Sequence, residues 1–175
     1  MSGLYTESSV LRKTTVRDII AKGFGVFACV ILCFMALTIG GSFRILFLIL
    51  ATASVVGLIM FWPRFNVEWE YVYCDGQLDF DMIMGGQKRK HVLRVEIAEA
   101  AAIAPMDSVK MDGYRHLSVL DYTSLDNSAR VYGIVTTVKN QKCVVYFEPT
   151  DKMLDLMKIK CPNIVEYQRT GISES

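Results

Sequence analysis

At 175 residues the chain has room for a membrane segment and one further domain of roughly 110 residues. A net charge of +1 gives no global pull toward nucleic acid or an acidic substrate. The five cysteines form no CxxC pair, which fits free thiols in a reducing compartment better than a disulfide framework.

Residues 1–22 read as a cytoplasmic amino-terminal segment. Residues 1–9 are polar and predict a loose stretch. From Val10 to Lys22, the apolar Val10, Leu11, Val16, Ile19 and Ile20 are interleaved with Arg12, Lys13, Arg17 and Lys22. That pattern suits a short amphipathic helix on a membrane surface, or the ordinary cationic flank of a membrane helix.

Residues 23–62 then predict a helical hairpin with spans 23–40 and 45–62. Neither span contains a charge. At about 18 residues each would reach ~27 Å, close to the hydrocarbon thickness of a bilayer. A backbone crossing lipid must satisfy its own hydrogen bonds, hence helices. The link Gly40–Arg44 is short enough to force an antiparallel pair, and Pro63 stops the second helix. Two buried helices of a soluble protein, or a cleaved signal peptide over residues 1–40, are the competing readings. Cations flank the outer ends of the pair (Arg12, Lys13, Arg17 and Lys22 before it, Arg64 after it), whereas the link has only Arg44. The expectation is therefore a multi-pass protein of the cell membrane with both termini cytoplasmic. Ala36/Gly40 and Ala53/Gly57 are small residues four apart, candidates for packing the hairpin or for a homodimer. Ion or proton transport normally needs ionisable groups at membrane depth, and these spans have none.

Residues 66–168 change texture. Val67–Tyr73 alternates, with Val67, Trp69, Tyr71 and Tyr73 on one face; Asp75-Gly76 turns; Gln77–Ile83 continues with Leu78, Phe80 and Met82. Gly85-Gly86 turns again into a strand over Lys88–Val95. Ile97–Ala104 is assigned as strand by its place in the series, and Pro105–Arg115 as a polar loop. His116–Tyr122 predicts a strand; Val131–Val138 and Lys142–Phe147 predict a hairpin over Asn140-Gln141. Thr150 caps a helix over Asp151–Lys160 that shows Met153, Leu154, Met157 and Cys161 on one face, with Asp151 at its positive end and Lys158 and Lys160 at its negative end. Residues 169–175 predict a disordered tail.

The fold class is thus α+β: a two-helix membrane hairpin, then about seven antiparallel strands in a bent sheet with a carboxy-terminal helix. That order looks like the pleckstrin-homology-like (PH-like) architecture, a likeness of fold that licenses no function by itself. Asn66–Tyr71, Asp75-Gly76-x-Leu78-Asp79-Phe80-Asp81, Lys88-Arg89-Lys90, Ala104-Pro105, Leu120-Asp121-Tyr122 and Phe147-Glu148-Pro149 together resemble an uncharacterised family of small two-span membrane proteins of Gram-positive bacteria. The resemblance implies the fold and supplies no activity.

Lys88, Arg89 and Lys90, followed by His91, form the one basic cluster of this region, a candidate contact for anionic lipid or for a partner, or else a solvated strand edge. Lipid-binding pleckstrin domains use basic residues around the first hairpin turn; here Asp75, Asp79 and Asp81 surround the turn at Asp75-Gly76 and would repel phosphate. Glu68, Glu70, Asp79 and Asp81 alternate on neighbouring strands and suit a solvated face better than a cation site. The two histidines, His91 and His116, lack metal-site spacing, and no nucleophile elbow or phosphate loop occurs. The expectation is a non-enzymatic, membrane-anchored binding or scaffolding module with no cofactor, metal or catalytic residue. Its partners would be the bilayer and an unidentified protein, with no nucleic acid. The alternative is a peripheral anionic-lipid sensor working through Lys88, Arg89 and Lys90.

Overall fold

The computed structural model describes residues 4–167. The tail assigned to residues 169–175 lies outside them. The described chain divides into two compact units. A helical unit holds Lys13–Val67 and Met84–Lys88, and the rest is β-rich.

The helical unit contains α1 (Val16–Thr38) and α2 (Ser42–Phe61). Both are long and apolar enough to cross a membrane, with mean hydropathies of 2.3 and 2.5. Only 11% and 6% of their most apolar windows are buried within the structure. The core helices of a soluble protein would be covered, so that competing reading loses its main support. α1 starts earlier than the expected residue 23. The Thr15 amide donates to the Asp18 carboxylate at 3.1 Å, and the Asp18 amide donates to the Thr15 carbonyl at 2.9 Å, which closes the first turn. After α2 a single 3₁₀ turn, Trp62–Phe65, takes up Pro63 near its start.

The β-rich unit begins before the helices, and here the expectations for residues 1–22 need correction. Tyr5–Leu11 is neither loose nor part of an amphipathic helix. It is strand β1, paired antiparallel with β2 (Val67–Cys74) from Tyr5↔Cys74 to Leu11↔Glu68. Its inward residues Thr6, Ser8 and Val10 keep a period of two but are mostly polar, so the hydrophobic signal is weak. Its partner lies more than fifty residues away. The helices are thus an insertion between two neighbouring strands, and Asp75-Gly76 closes the second strand pair rather than the first.

β3 (Gln77–Met84) and β4 (Lys88–Glu96) complete a four-stranded sheet in the order β1-β2-β3-β4. The second sheet contains β5 (Ala102–Pro105), β6 (Ser118–Asp121), β7 (Tyr132–Val138) and β8 (Gln141–Phe147) in the order β5-β7-β8-β6. The sequence suggested about seven antiparallel strands; among the described residues there are eight, and β6 runs parallel to β8. Ile97–Glu99 is a 3₁₀ turn rather than strand, which shortens the predicted strand to β5. The polar loop after β5 contains one helical turn, α3 (Val109–Asp112). The β7–β8 turn falls on Lys139 and Asn140, both at positive φ, one residue before the predicted pair.

Between the sheets, Trp69, Tyr71, Phe80, Tyr122 and Phe147 pack with ring centroids 4.8–5.9 Å apart. The Tyr71 hydroxyl donates to the Tyr122 carbonyl, and burial pushes its phenol above the usual range. Met82, expected in this core, is only half-buried. Helix α4 (Asp151–Lys160) follows the sequence reading: the Thr150 hydroxyl accepts from the Met153 amide at 3.3 Å, and Met153, Leu154 and Met157 are fully buried. The segment after α4 then adds to the free edge of β5, where the Ile103 amide donates to the Ile164 carbonyl and the Glu166 amide to the Ile103 carbonyl.

Candidate functional site

The outer face of the second sheet carries Ala102, Ala104, Gly133, Val135 and Val144, none of them polar. Residues 106–117 fold over this face. Met111 is buried there, with Tyr114, Leu117 and Tyr146 packed against the same cluster. Gly133 is the seat: a Cβ at that position would lie 2.5 Å from the Met111 methyl and 3.1 Å from Val144. The covering segment is tied down at its start by Ser108, whose hydroxyl donates to the Glu166 carboxylate at 2.9 Å.

A second segment, residues 122–131, stands opposite. The Tyr122 amide donates to the Tyr146 carbonyl at 3.0 Å. Asp121 accepts from the Thr123 amide at 3.0 Å and its hydroxyl at 2.7 Å. Glu148 accepts from the Ser124 amide at 2.7 Å and its hydroxyl at 2.8 Å. These bonds hold Leu125 at φ 61°, a conformation a leucine rarely adopts, with 40% of its surface exposed.

Between the two segments lies a groove. Two hollows of about 770 and 490 Å³ adjoin at Met106, Asp107 and Tyr146, which line both. Leu125 and Val131 wall one end; Met111 and Tyr114 wall the other. Most of its charged groups are already engaged: Arg115 with Asp112, Arg130 with Asp151, Asp121 with Thr123, and Asp126 with Ser128. Asp107, exposed where the hollows meet, is the carboxylate of the groove with no hydrogen-bond or ionic partner among the described residues. Asp121, which lines the groove, is the last residue of β6, a short edge strand with Val119 45% exposed.

The basic cluster lies elsewhere, on β4. Arg89 pairs with Glu70 and with Asp81, the latter at 3.0 Å; His91 meets Asp81 at 2.9 Å; Arg94 grips Asp79 through two nitrogens at 2.6 and 2.8 Å. The Asp79 hydrogen bond holds the Arg94 guanidinium above its ordinary range. Glu70, Asp79 and Asp81 therefore share one outward face with the cations of β4. Arg89 is spent on that face, while Lys88 and Lys90 have no such pairing among the described residues. No three of His, Cys, Asp and Glu cluster as metal ligands would among the described residues. Burial pushes the Cys143 thiol up, away from thiolate character.

The small residues of the helices separate as well. Ala36 is buried, as is Ala51 of α2, and a Cβ on Gly25 would lie 2.9 Å from Leu58. Those residues mark close approach within the hairpin. Gly40 lies beyond the end of α1, and Ala53 and Gly57 line an exposed groove along α2.

The groove in the β-rich unit was not found from sequence, because its walls come from three separated segments. A partial signal was present: Leu120-Asp121-Tyr122 and Phe147-Glu148, noted for their resemblance, supply the bonds that hold its loop.

Compared with known families, the chain matches one family model, described as Bacterial PH-like domain (DUF6106), over residues 2–166. No curated protein and no solved structure matches it.

Proposed function

We propose, from the premise that this chain belongs to the family of bacterial PH-like domains of unknown function (DUF6106), that it is a non-enzymatic recognition module held at a membrane by its helical hairpin. The length, hydropathy and exposure of α1 and α2 support the membrane half of this reading, and one further observation fits a hairpin. β1 and β2 are hydrogen-bonded neighbours although α1 and α2 separate them in sequence. If the helices cross a membrane, two spans return the chain to the side it left, which is compatible with that pairing, whereas one span would divide the sheet. Cleavage after α1 would likewise remove β1 from its sheet, which counts against a signal peptide. The excess of cations at the outer ends of the hairpin supports a cytoplasmic position for the β-rich unit.

The recognition half rests on the groove. The smaller hollow is walled mainly by apolar and aromatic side chains and the larger by a polar loop with Leu125 and Val131; the charged groups are mostly committed to holding the loops, and Asp107 stands without a partner among the described residues where the two hollows meet. That combination suits an extended peptide with apolar side chains and one basic residue, docking alongside the edge of β6. The test is capture from detergent extracts by the full chain and by Asp107→Lys. A partner held by the first and lost by the second supports the reading. Equal capture by both, or none by either, sinks it.

The lipid-sensor alternative keeps Lys88 and Lys90 but loses Arg89 to Glu70 and Asp81.

A further inference from the structure

We propose that a hollow at the carboxy-terminal end of α2 binds the headgroup and upper acyl chain of one anionic glycerophospholipid. This rests on the hairpin being in a membrane.

The hollow measures about 260 Å³ and is two-sided. Met60, Phe61 and Met84 line it with apolar surface, and Arg64, Gln87 and Lys88 supply polar groups. Met60 and Phe61 are 73% and 54% exposed at the end of an apolar helix, where acyl chains would meet them. Arg64 lies over the Phe61 ring, 4.6 Å from its centre, which keeps its guanidinium beside the apolar wall. Neither Arg64 nor Lys88 has a carboxylate partner among the described residues. Their unit carries Lys13, Arg17, Lys22, Arg44, Arg64 and Lys88 against one carboxylate, Asp18, which is spent capping α1. A planar guanidinium and a mobile ammonium on one rim suit a phosphodiester, which offers several acceptor oxygens.

The backbone builds this rim. The β3–β4 turn has Gly85 at φ 57° and Gly86 at φ 69°, and the Gly85 amide donates to the Asn66 carbonyl at 2.8 Å. A Cβ on Gly85 would lie 2.5 Å from the Pro63 Cβ. The turn is therefore seated on Pro63, which brings Lys88 to the hollow that Arg64 also lines. An apolar wall continuous with the helix favours an amphiphile over a free anion. Of the predicted basic cluster, the site uses Lys88; Arg89 and Lys90 do not line it.

The experiment uses the full chain in nanodiscs of phosphatidylcholine with a minor share of phosphatidylglycerol, released for native mass spectrometry. The expected result is one retained phosphatidylglycerol per chain. Arg64→Gln and Lys88→Gln should each lower retention about fivefold, and Lys90→Gln should leave it unchanged. Retention equal to wild type in the double variant R64Q/K88Q overturns the site, as does an equal loss in Lys90→Gln. Complete displacement by inorganic phosphate alone overturns the lipid in favour of a free anion. A carbonate wash that strips the chain from vesicles overturns the membrane reading and this site together. A chain that stays inserted but shows no preference for phosphatidylglycerol overturns the site alone.

Discussion

The two outer faces of the β-rich unit solve the same problem in opposite ways. The first sheet turns Glu70, Asp79 and Asp81 outward against Arg89, His91 and Arg94. The second turns alanine, glycine and valine outward and covers them with residues 106–117. An ion-paired face is finished: it needs no cover and leaves no hollow. A face covered by a single excursion of chain ends in rims, and the groove lies along one of them. The candidate site thus belongs to the face whose own residues could not remain in water.

That contrast can be broken at Gly133. In Gly133→Val the new side chain would meet both Met111 and Val144, and overpacking of this kind costs about 2–3 kcal/mol. Denaturant titration of the full chain in micelles should show the midpoint fall, with residues 106–117 becoming accessible to protease. Survival of the wild-type midpoint would mean that the cover is not tightly seated.

Met111→Ala probes the same contact from the other side. It leaves a void under the cover, and a loss of about 2 kcal/mol is expected. Partner capture should weaken along with stability, because Met111 also walls the groove.

Tyr71→Phe tests the core beneath both faces. Losing the hydrogen bond to the Tyr122 carbonyl should cost about 1 kcal/mol. The phenol also sets a pH limit. Its folded pKa is raised above the unfolded value of about 10, so the neutral form is favoured in the fold. This contribution is complete below about pH 10 and is lost as the pH climbs toward the folded value. Stability measured against alkaline pH should decline less steeply in Tyr71→Phe.

The smallest effect is expected at Arg94→Ala. Its pair with Asp79 is solvent-facing, and such pairs add little to stability. The denaturation midpoint should stay where it was. A clear drop would mean that the ion-paired face does more than keep the sheet soluble.

Much of this architecture was legible in the residues. Period-two alternation marked β2 and β3 because Trp69, Tyr71, Leu78 and Phe80 are apolar on one face only. Thr150 and the Met153, Leu154 and Met157 stripe marked α4 for the same reason of one-sided burial. β1 escaped because its inward side chains include Thr6 and Ser8, and the parallel pairing of β6 left no local mark at all. The basic run 88–91 was visible, but the commitment of Arg89 and His91 to Glu70 and Asp81 depended on register across three strands.

Sequence by itself determined two lipid-length apolar helices, the alternating strands and the capped last helix, since each is a local pattern of burial and backbone preference. Only the tertiary structure decided that the helices interrupt a pair of neighbouring strands, that residues 106–117 cover the apolar outer face, and that Asp107, Leu125 and Tyr146 meet in one groove. Those outcomes join segments far apart in the chain, and the free energy that selects them comes from surfaces meeting in space, which no local spacing of residues records.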